Sequence, residues 1–168
     1  MPRLVVQAFL SAEDKNFYYH PGVDLSSIVR AIISNFRNIL SGRRLVGAST
    51  ITQQVAKNFL LSADVTLERK IKEAILAFRI ERALEKDRIL ELYLNEIYLG
   101  FGSYGVAAAA LNYFNKSLDT LTLAEAAFLA ALPKAPNNYN PFNYPKAASD
   151  RRNWVIGRML QDGIIKKE

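Results

Sequence analysis

Glu13 stands where an apolar stretch, Leu4–Ala12, runs into the polar and aromatic segment Asp14-Lys15-Asn16-Phe17-Tyr18-Tyr19-His20. A carboxylate at the end of a helix meets the negative end of the helix dipole. With three aromatic residues close behind it, Glu13 is a candidate for acid/base work; the alternative is an exposed glutamate, as most are. A second set lies in Gly47–Asn58, GASTITQQVAKN. There Thr50, Gln54 and Asn58 repeat at i, i+4 and i+8, with Gln53 and Lys57 beside them and no acid to pair with the ammonium. Hydroxyls, amides and a cation on one side of a helix suit sugar hydroxyls and phosphate oxygens. A third set is Arg69-Lys70-Ile71-Lys72-Glu73, in which Arg69 and Lys70 share a helical face with Glu73. Its plainer reading is a surface salt bridge, which contributes about 0–1 kcal/mol.

Other chemistries are excluded by composition. The chain has one histidine, His20, and no cysteine. Disulfides, thiolate zinc sites, cysteine nucleophiles and histidine-rich metal sites are therefore ruled out. No strand-turn-helix elbow surrounds a serine. Gly100, Gly102 and Gly105 follow a helical pattern and not a strand, so they make no dinucleotide-binding turn.

The elements that must position these residues read as helices. Leu4–Ala12 forms a short one, followed by a loop through Pro21-Gly22. Asp24 is placed to cap a helix running to Leu40, and Ser41-Gly42-Arg43-Arg44 breaks it. Ser49 or Thr50 starts the GASTITQQVAKN helix, with Ile51, Val55 and Phe59 at helical spacing, ending near Leu61. Thr66 caps a further helix whose apolar stripe is Leu67, Ile71, Ile75 and Phe78, running to about Glu85. Asp87–Leu99 is apolar on nearly all sides, the mark of a buried helix. Gly105–Phe114, Thr122–Leu132 and Lys146–Gln161 complete the set, with a four-proline loop over Pro133–Pro145. The expected class is mainly α.

At 168 residues, half of them apolar, the chain is long enough for one globular domain with a real core. The net charge of +6 and a pI near 9.6 favour anionic partners. No apolar run is long enough to span a bilayer. The opening residues lack the apolar core and cleavage site of a signal peptide, so the expectation is a cytosolic protein or a domain excised from a longer one. Leu25–Val46 carries Arg30, Arg37, Arg43 and Arg44 and no acid among many apolar residues. It reads either as a core-facing helix or as a basic amphipathic helix of the kind that lies in a lipid interface.

Four segments in order, Glu13–Gly22 (EDKNFYYHPG), Gly47–Asn58 (GASTITQQVAKN), Arg69–Glu73 (RKIKE) and Lys86–Gly100 (KDRILELYLNEIYLG), resemble the main motifs of the peptidoglycan glycosyltransferase domain (family 51 glycosyltransferases). That domain occurs in class A penicillin-binding proteins and monofunctional transglycosylases. A fifth segment, Ala109–Lys116, is similar too, with Asn115 where the family often has Gly. The resemblance covers nearly the whole chain.

It implies a lysozyme-like, two-lobed helical fold with a substrate cleft, and a single glycosyltransferase domain over residues 1–168 without the membrane anchor or transpeptidase that relatives carry. The implied substrate is lipid II together with the lipid-linked growing glycan chain, joined at the outer face of the bacterial cytoplasmic membrane. An α-linked diphosphate donor giving a β-linked product means inversion, which needs one base and no carboxylate nucleophile. By the family pattern Glu13 is that base, and Glu73 orients the cations or helps bind a divalent ion. Lys57, Arg69 and Lys70 hold the diphosphate, and Ser49, Thr50, Gln54 and Asn58 bond sugar or phosphate. Asp14, Phe17 and His20 shape the acceptor side, the last two equally as structural supports. Cofactors are not required, Mg²⁺ being optional and no metal site certain. Moenomycin-type inhibitors are expected to compete, and nucleic acid is not an expected partner. A substrate tethered to lipid also turns Leu25–Val46 toward the interfacial reading, with Ile32, Phe36 and Ile39 facing the membrane. A glycan hydrolase of similar shape and a non-catalytic cation-rich binding module are the rivals. A hydrolase needs a protonated Glu for its leaving group, so the cation-rich stripe argues for synthesis.

Overall fold

The computed structural model describes residues 1–40, 47–60 and 66–166. Arg43, Arg44, Val46 and Leu61 lie outside the described residues, as does the side chain of Phe59. The described residues form a mainly α structure: α1 (Arg3–Glu13), α2 (Leu25–Leu40), α3 (Ile51–Leu60), α4 (Leu67–Ala83), α5 (Lys86–Glu96), α6 (Val106–Phe114), α7 (Leu123–Ala131) and α8 (Pro145–Gln161). Helical boundaries fall within a few residues of those predicted. The chain divides into two compact units, Met1–Lys15 with Leu90–Glu168, and Asn16–Ile89.

In the first unit α1, α7 and α8 pack on one another. The alanines of α7 (Ala126, Ala127, Ala130 and Ala131) are fully buried, and their small side chains let neighbouring helices approach closely. Val5, Ala8 and Phe9 of α1 and Val155 and Met159 of α8 fill the same core. Thr122 starts α7 through a capping box. Its hydroxyl accepts from the Glu125 N–H at 3.3 Å, and its own N–H donates to Glu125 Oε2 at 2.8 Å. Gly105 enters α6 at φ +78°, and a Cβ there would sit 2.2 Å from the Asn95 carbonyl oxygen. Only glycine fits that approach. α5 buries Ile89, Leu90, Tyr93 and Leu94 but exposes Asp87, Arg88, Glu91, Asn95 and Glu96, so it is covered on one side and not all round as its sequence suggested.

In the second unit α3 packs on α4, burying Ile51, Val55, Ala56 and Ala77. Asp24 caps α2: its carboxylate accepts from the Ser27 N–H at 3.0 Å. Thr66 caps α4 in the same way, accepting from the Arg69 N–H at 3.1 Å. The loop between α1 and α2 is tied down by Lys86, whose ammonium donates to the His20 carbonyl at 2.6 Å and to Glu81 at 2.7 Å. The same ammonium sits 4.4 Å from the centre of the buried Phe17 ring.

On two helices the apolar residues lie on the outside. In α2, Ile32, Phe36 and Ile39 are 63%, 68% and 67% exposed, so the core-facing reading of that helix does not hold. In α4 the helical period is as read, but the stripe Leu67, Ile71, Ile75 and Phe78 is the exposed face. The buried line is Arg69, Glu73 and Ala77. Period fixes which residues share a face; the neighbour decides which face is covered, and α3 covers the polar one.

Candidate active site

Glu13 is the last residue of α1 and is half-buried. Asp14 follows as the C-cap, buried, its N–H donating to the Leu10 carbonyl at 2.9 Å. Two groups of the first unit act on this corner. The Tyr93 phenol of α5 is fully buried and its hydroxyl has no hydrogen-bond partner. Burial above all, and then the charges of Glu13 and Asp14, push its pKa well above the usual phenol range. Arg151 of α8 interacts with Glu13 through charge: burial pulls its guanidinium pKa down, while Glu13 and then Tyr139 push it back up.

The remaining predicted residues belong to the second unit. Phe17 is fully buried, with its ring edge-on to His20 at 6.3 Å. His20 Nδ1 accepts the Gly22 N–H at 3.2 Å, which places the proton of a neutral imidazole on Nε2. Both residues support the loop. Thr50 is the N-terminal cap of α3: its hydroxyl accepts from the Gln53 N–H at 3.1 Å and donates to the Gly22 carbonyl at 2.6 Å. Gln53 Oε1 reciprocates by accepting the Thr50 N–H at 2.9 Å. The amide stripe therefore rises out of the core along α3. Thr50 is buried, Gln54 half-buried, and Asn58 exposed beside exposed Lys57.

Ser49, Lys70 and Glu73 come together. The Lys70 ammonium donates to Ser49 Oγ at 3.0 Å and to the Glu73 carboxylate. Glu73 is 1% exposed, so the plain surface-bridge reading does not describe it. Its Oε2 is buried without a hydrogen-bond partner, and so are Nε and Nη1 of Arg69. Buried polar atoms are nearly always satisfied; the two guanidinium nitrogens are donors that call for an acceptor oxygen, and Glu73 Oε2 is an acceptor that calls for a donor or a cation. No cluster of three or more potential metal ligands occurs among the described residues.

Sequence reasoning singled out neither Tyr93 nor Arg151. An arginine on a helix reads as a solvated surface group, and a tyrosine in an apolar helix as core packing. No local signal distinguishes them.

The family model described as Transglycosylase matches residues 1–160, and the chain belongs to that family. Penicillin-binding protein 1A of Rickettsia felis is 59% identical over 168 residues, all of this chain and 21% of that protein. Penicillin-binding protein 1A of Aquifex aeolicus is 56% identical over the whole chain and 23% of its own length. A crystal structure of penicillin-binding protein 1A from Haemophilus influenzae matches 50% of this chain and 13% of its own, at 56% identity and a TM-score of 0.49. The chain thus spans about a fifth of the length of the curated relatives it matches.

Proposed function

We propose that residues 1–168 act as a peptidoglycan glycosyltransferase domain that polymerises lipid II into β-1,4-linked glycan strands, inverting the donor anomeric carbon and releasing undecaprenyl diphosphate. The observation that carries the reading is the Arg69–Lys70–Glu73 cluster, with its buried, unpartnered guanidinium nitrogens and a lysine held beside them. A glycosidic leaving group needs a proton, whereas a diphosphate needs its growing negative charge met by fixed cations. A cation cluster fits the second chemistry.

Glu13 takes the proton from the acceptor's 4-hydroxyl. Lys57, Arg69 and Lys70 receive the diphosphate, and Ser49, Gln54 and Asn58 bond sugar or phosphate oxygens. Thr50 contributes chiefly by starting α3 and setting the direction of that stripe. Asp14 and the loop held by Phe17 and His20 define the acceptor side. Glu73 orients Lys70, and its free Oε2 is the atom that an optional Mg²⁺ shared with the diphosphate would use, since such ions commonly combine one carboxylate with substrate phosphates. Moenomycin-type phosphoglycolipids compete at the same cations.

No helix among the described residues is long and apolar enough to cross a membrane. The uncovered apolar face of α2, bearing Arg30 and Arg37, suits the headgroup layer where a lipid-linked substrate lies. The parent protein is of the class A penicillin-binding type and works at the extracytoplasmic face of the bacterial membrane. Polymerisation of labelled lipid II by the wild type and by Glu13→Gln tests the reading. Glycan strands from the wild type and a loss of at least about 100-fold in the variant are expected. Full activity in Glu13→Gln, or cleavage of finished glycan in place of polymerisation, overturns it.

A further inference from the structure

The first unit holds a cavity of about 360 Å³ lined by residues of α6, α7 and the start of α8. That volume falls within the roughly 300–1,000 Å³ of small-molecule sites. Its walls carry four aromatic rings, those of Tyr113, Phe114, Phe128 and Phe142. Phe128 meets Tyr113 and Phe114 edge-on, with ring centres 5.3 and 5.7 Å away. The Tyr113 phenol donates to the Leu99 carbonyl at 3.0 Å, so its polar end is spent and its ring is tethered. Phe101 braces two of these rings, its centre 5.2 Å from that of Phe142 and 5.7 Å from that of Tyr113. It does so from a left-handed backbone at φ +50°, a costly conformation for a bulky residue. The rings are thus held in place by one another, and a preformed pocket lowers the cost of binding. None of these residues has a part in the glycosyl transfer proposed above.

The polar edge of the cavity comes from α8, where Ser149 and Arg152 lie one turn apart. Glu125 lines it too, but its carboxylate is taken. Lys116 donates to both of its oxygens, at 2.7 and 3.0 Å, and the Thr122 N–H donates to Oε2 at 2.8 Å. The charge of Arg152 is open. Its Nε and Nη2 donate to the uncharged Asn153 amide oxygen at 3.0 and 2.9 Å, and no carboxylate among the described residues pairs with it. Its Nη1 hydrogens and the second Nη2 hydrogen remain to be given. The first turn of α8 adds the positive end of its dipole on the same side.

We propose that this cavity binds a small organic acid, a carboxylate carried on an aromatic or branched apolar group. The rings of Tyr113, Phe114, Phe128 and Phe142 take the apolar body, and Arg152 with Ser149 takes the carboxylate. A bare anion would leave the aromatic wall wet, and a neutral apolar compound would leave the cation unused. The two halves together specify the ligand: a guanidinium offers a carboxylate parallel N–H···O bonds, and ring faces and edges suit a flat or compact apolar group.

The probe is 3-phenylpropanoate, with 3-phenylpropanamide as its neutral counterpart. Each is titrated by NMR into the chain carrying ¹³C-methyl alanine. Ala124 and Ala148 line the cavity, and their methyl signals, assigned through Ala124→Ser and Ala148→Ser, shift as the acid is added. Those of Ala56 and Ala77 in the second unit stay in place. The acid binds at least about tenfold more tightly than the amide, and Arg152→Gln removes that preference while leaving the amide's affinity unchanged. Ala124→Trp, at an exposed position, fills the cavity and weakens both compounds by at least about tenfold. Near-ultraviolet circular dichroism selects folded protein; should Ala124→Trp not fold, Ser149→Trp, also exposed, takes its place. Unshifted Ala124 and Ala148 methyls, or equal binding of acid and amide, overturn the proposal. So does a peptide Ala-Ala-Ala-Phe that binds at least about tenfold more tightly than the free acid, since it assigns the cavity to a peptide end. None of these readouts requires glycan synthesis, so failure of the proposed function leaves this test intact.

Discussion

The Lys70 ammonium is bound to the Glu73 carboxylate across one turn of α4, and the two partners live in different surroundings. Lys70's side chain is 46% exposed and Glu73's is 1%. A pair of this kind differs from the surface pair Lys72–Glu68 on the same helix, where both members face water. The buried member sets the cost of breaking it.

Lys70→Met therefore strands a buried carboxylate and is expected to destabilise the fold by about 2 kcal/mol or more. Lys72→Met should change stability by less than about 0.5 kcal/mol. The double variant Lys70→Met/Glu73→Leu should regain most of the loss, because a neutral pair of similar volume needs no compensation. Urea unfolding of the four proteins measures this; equal effects for the two lysine variants would contradict it.

Asp24 gives a pH dependence of known sign. Burial disfavours its charge, but bonds from the hydroxyls of Ser26 and Ser27, the amide of Asn16 and the Ser27 N–H outweigh that and hold its carboxyl well below the usual aspartate range. Its folded pKa is depressed, so its contribution is complete above the ordinary value of about 4 and is lost as pH falls below that. Thermal midpoints of wild type and Asp24→Asn, measured from pH 7 to pH 2, should converge on the acid side. Parallel curves would show that Asp24 is not the group responsible.

Gly22→Ala should damage the second unit without adding or removing a charge. The glycine sits at φ +98°, and a Cβ there would lie 2.9 Å from the Ala77 backbone. The Gly22 carbonyl is also where the Thr50 hydroxyl anchors the start of α3. Strain and clash together predict a loss of at least about 2 kcal/mol, read as a lower unfolding midpoint. A neutral result would mean that the loop can move away from α4 at no cost.

The uncovered apolar face of α2 predicts binding to anionic vesicles. Replacing Ile32, Phe36 and Ile39 with Ser should release the protein in a flotation assay, and raising salt should weaken binding by screening Arg30 and Arg37. Unchanged flotation of the triple variant would remove α2 from the membrane account. The exposed stripe of α4 at Leu67, Ile71 and Ile75 is the next surface to alter.

Much of this molecule follows from local chemistry. The caps Asp24, Thr50 and Thr66 are legible because a short polar side chain ahead of a periodic apolar run satisfies free N–H groups within a turn of itself. The motifs around Glu13, Ser49 and Arg69 are legible for a similar reason, each being a contiguous run of residue types. What the tertiary structure alone decided is which surfaces are covered and which charges meet. The α4 stripe looks the same in sequence whether it faces core or solvent; α3, packing on the opposite side, turned it outward and buried Arg69 and Glu73 instead. Thr50 could have been a substrate contact or a cap until Gly22 came within reach of its hydroxyl. Arg151 feels the charge of Glu13 because α8, from the far end of the chain, packs on α1. Short-range hydrogen bonds are written into neighbouring residues, whereas burial and electrostatic partnership depend on elements remote in sequence, and no window along the chain contains both halves.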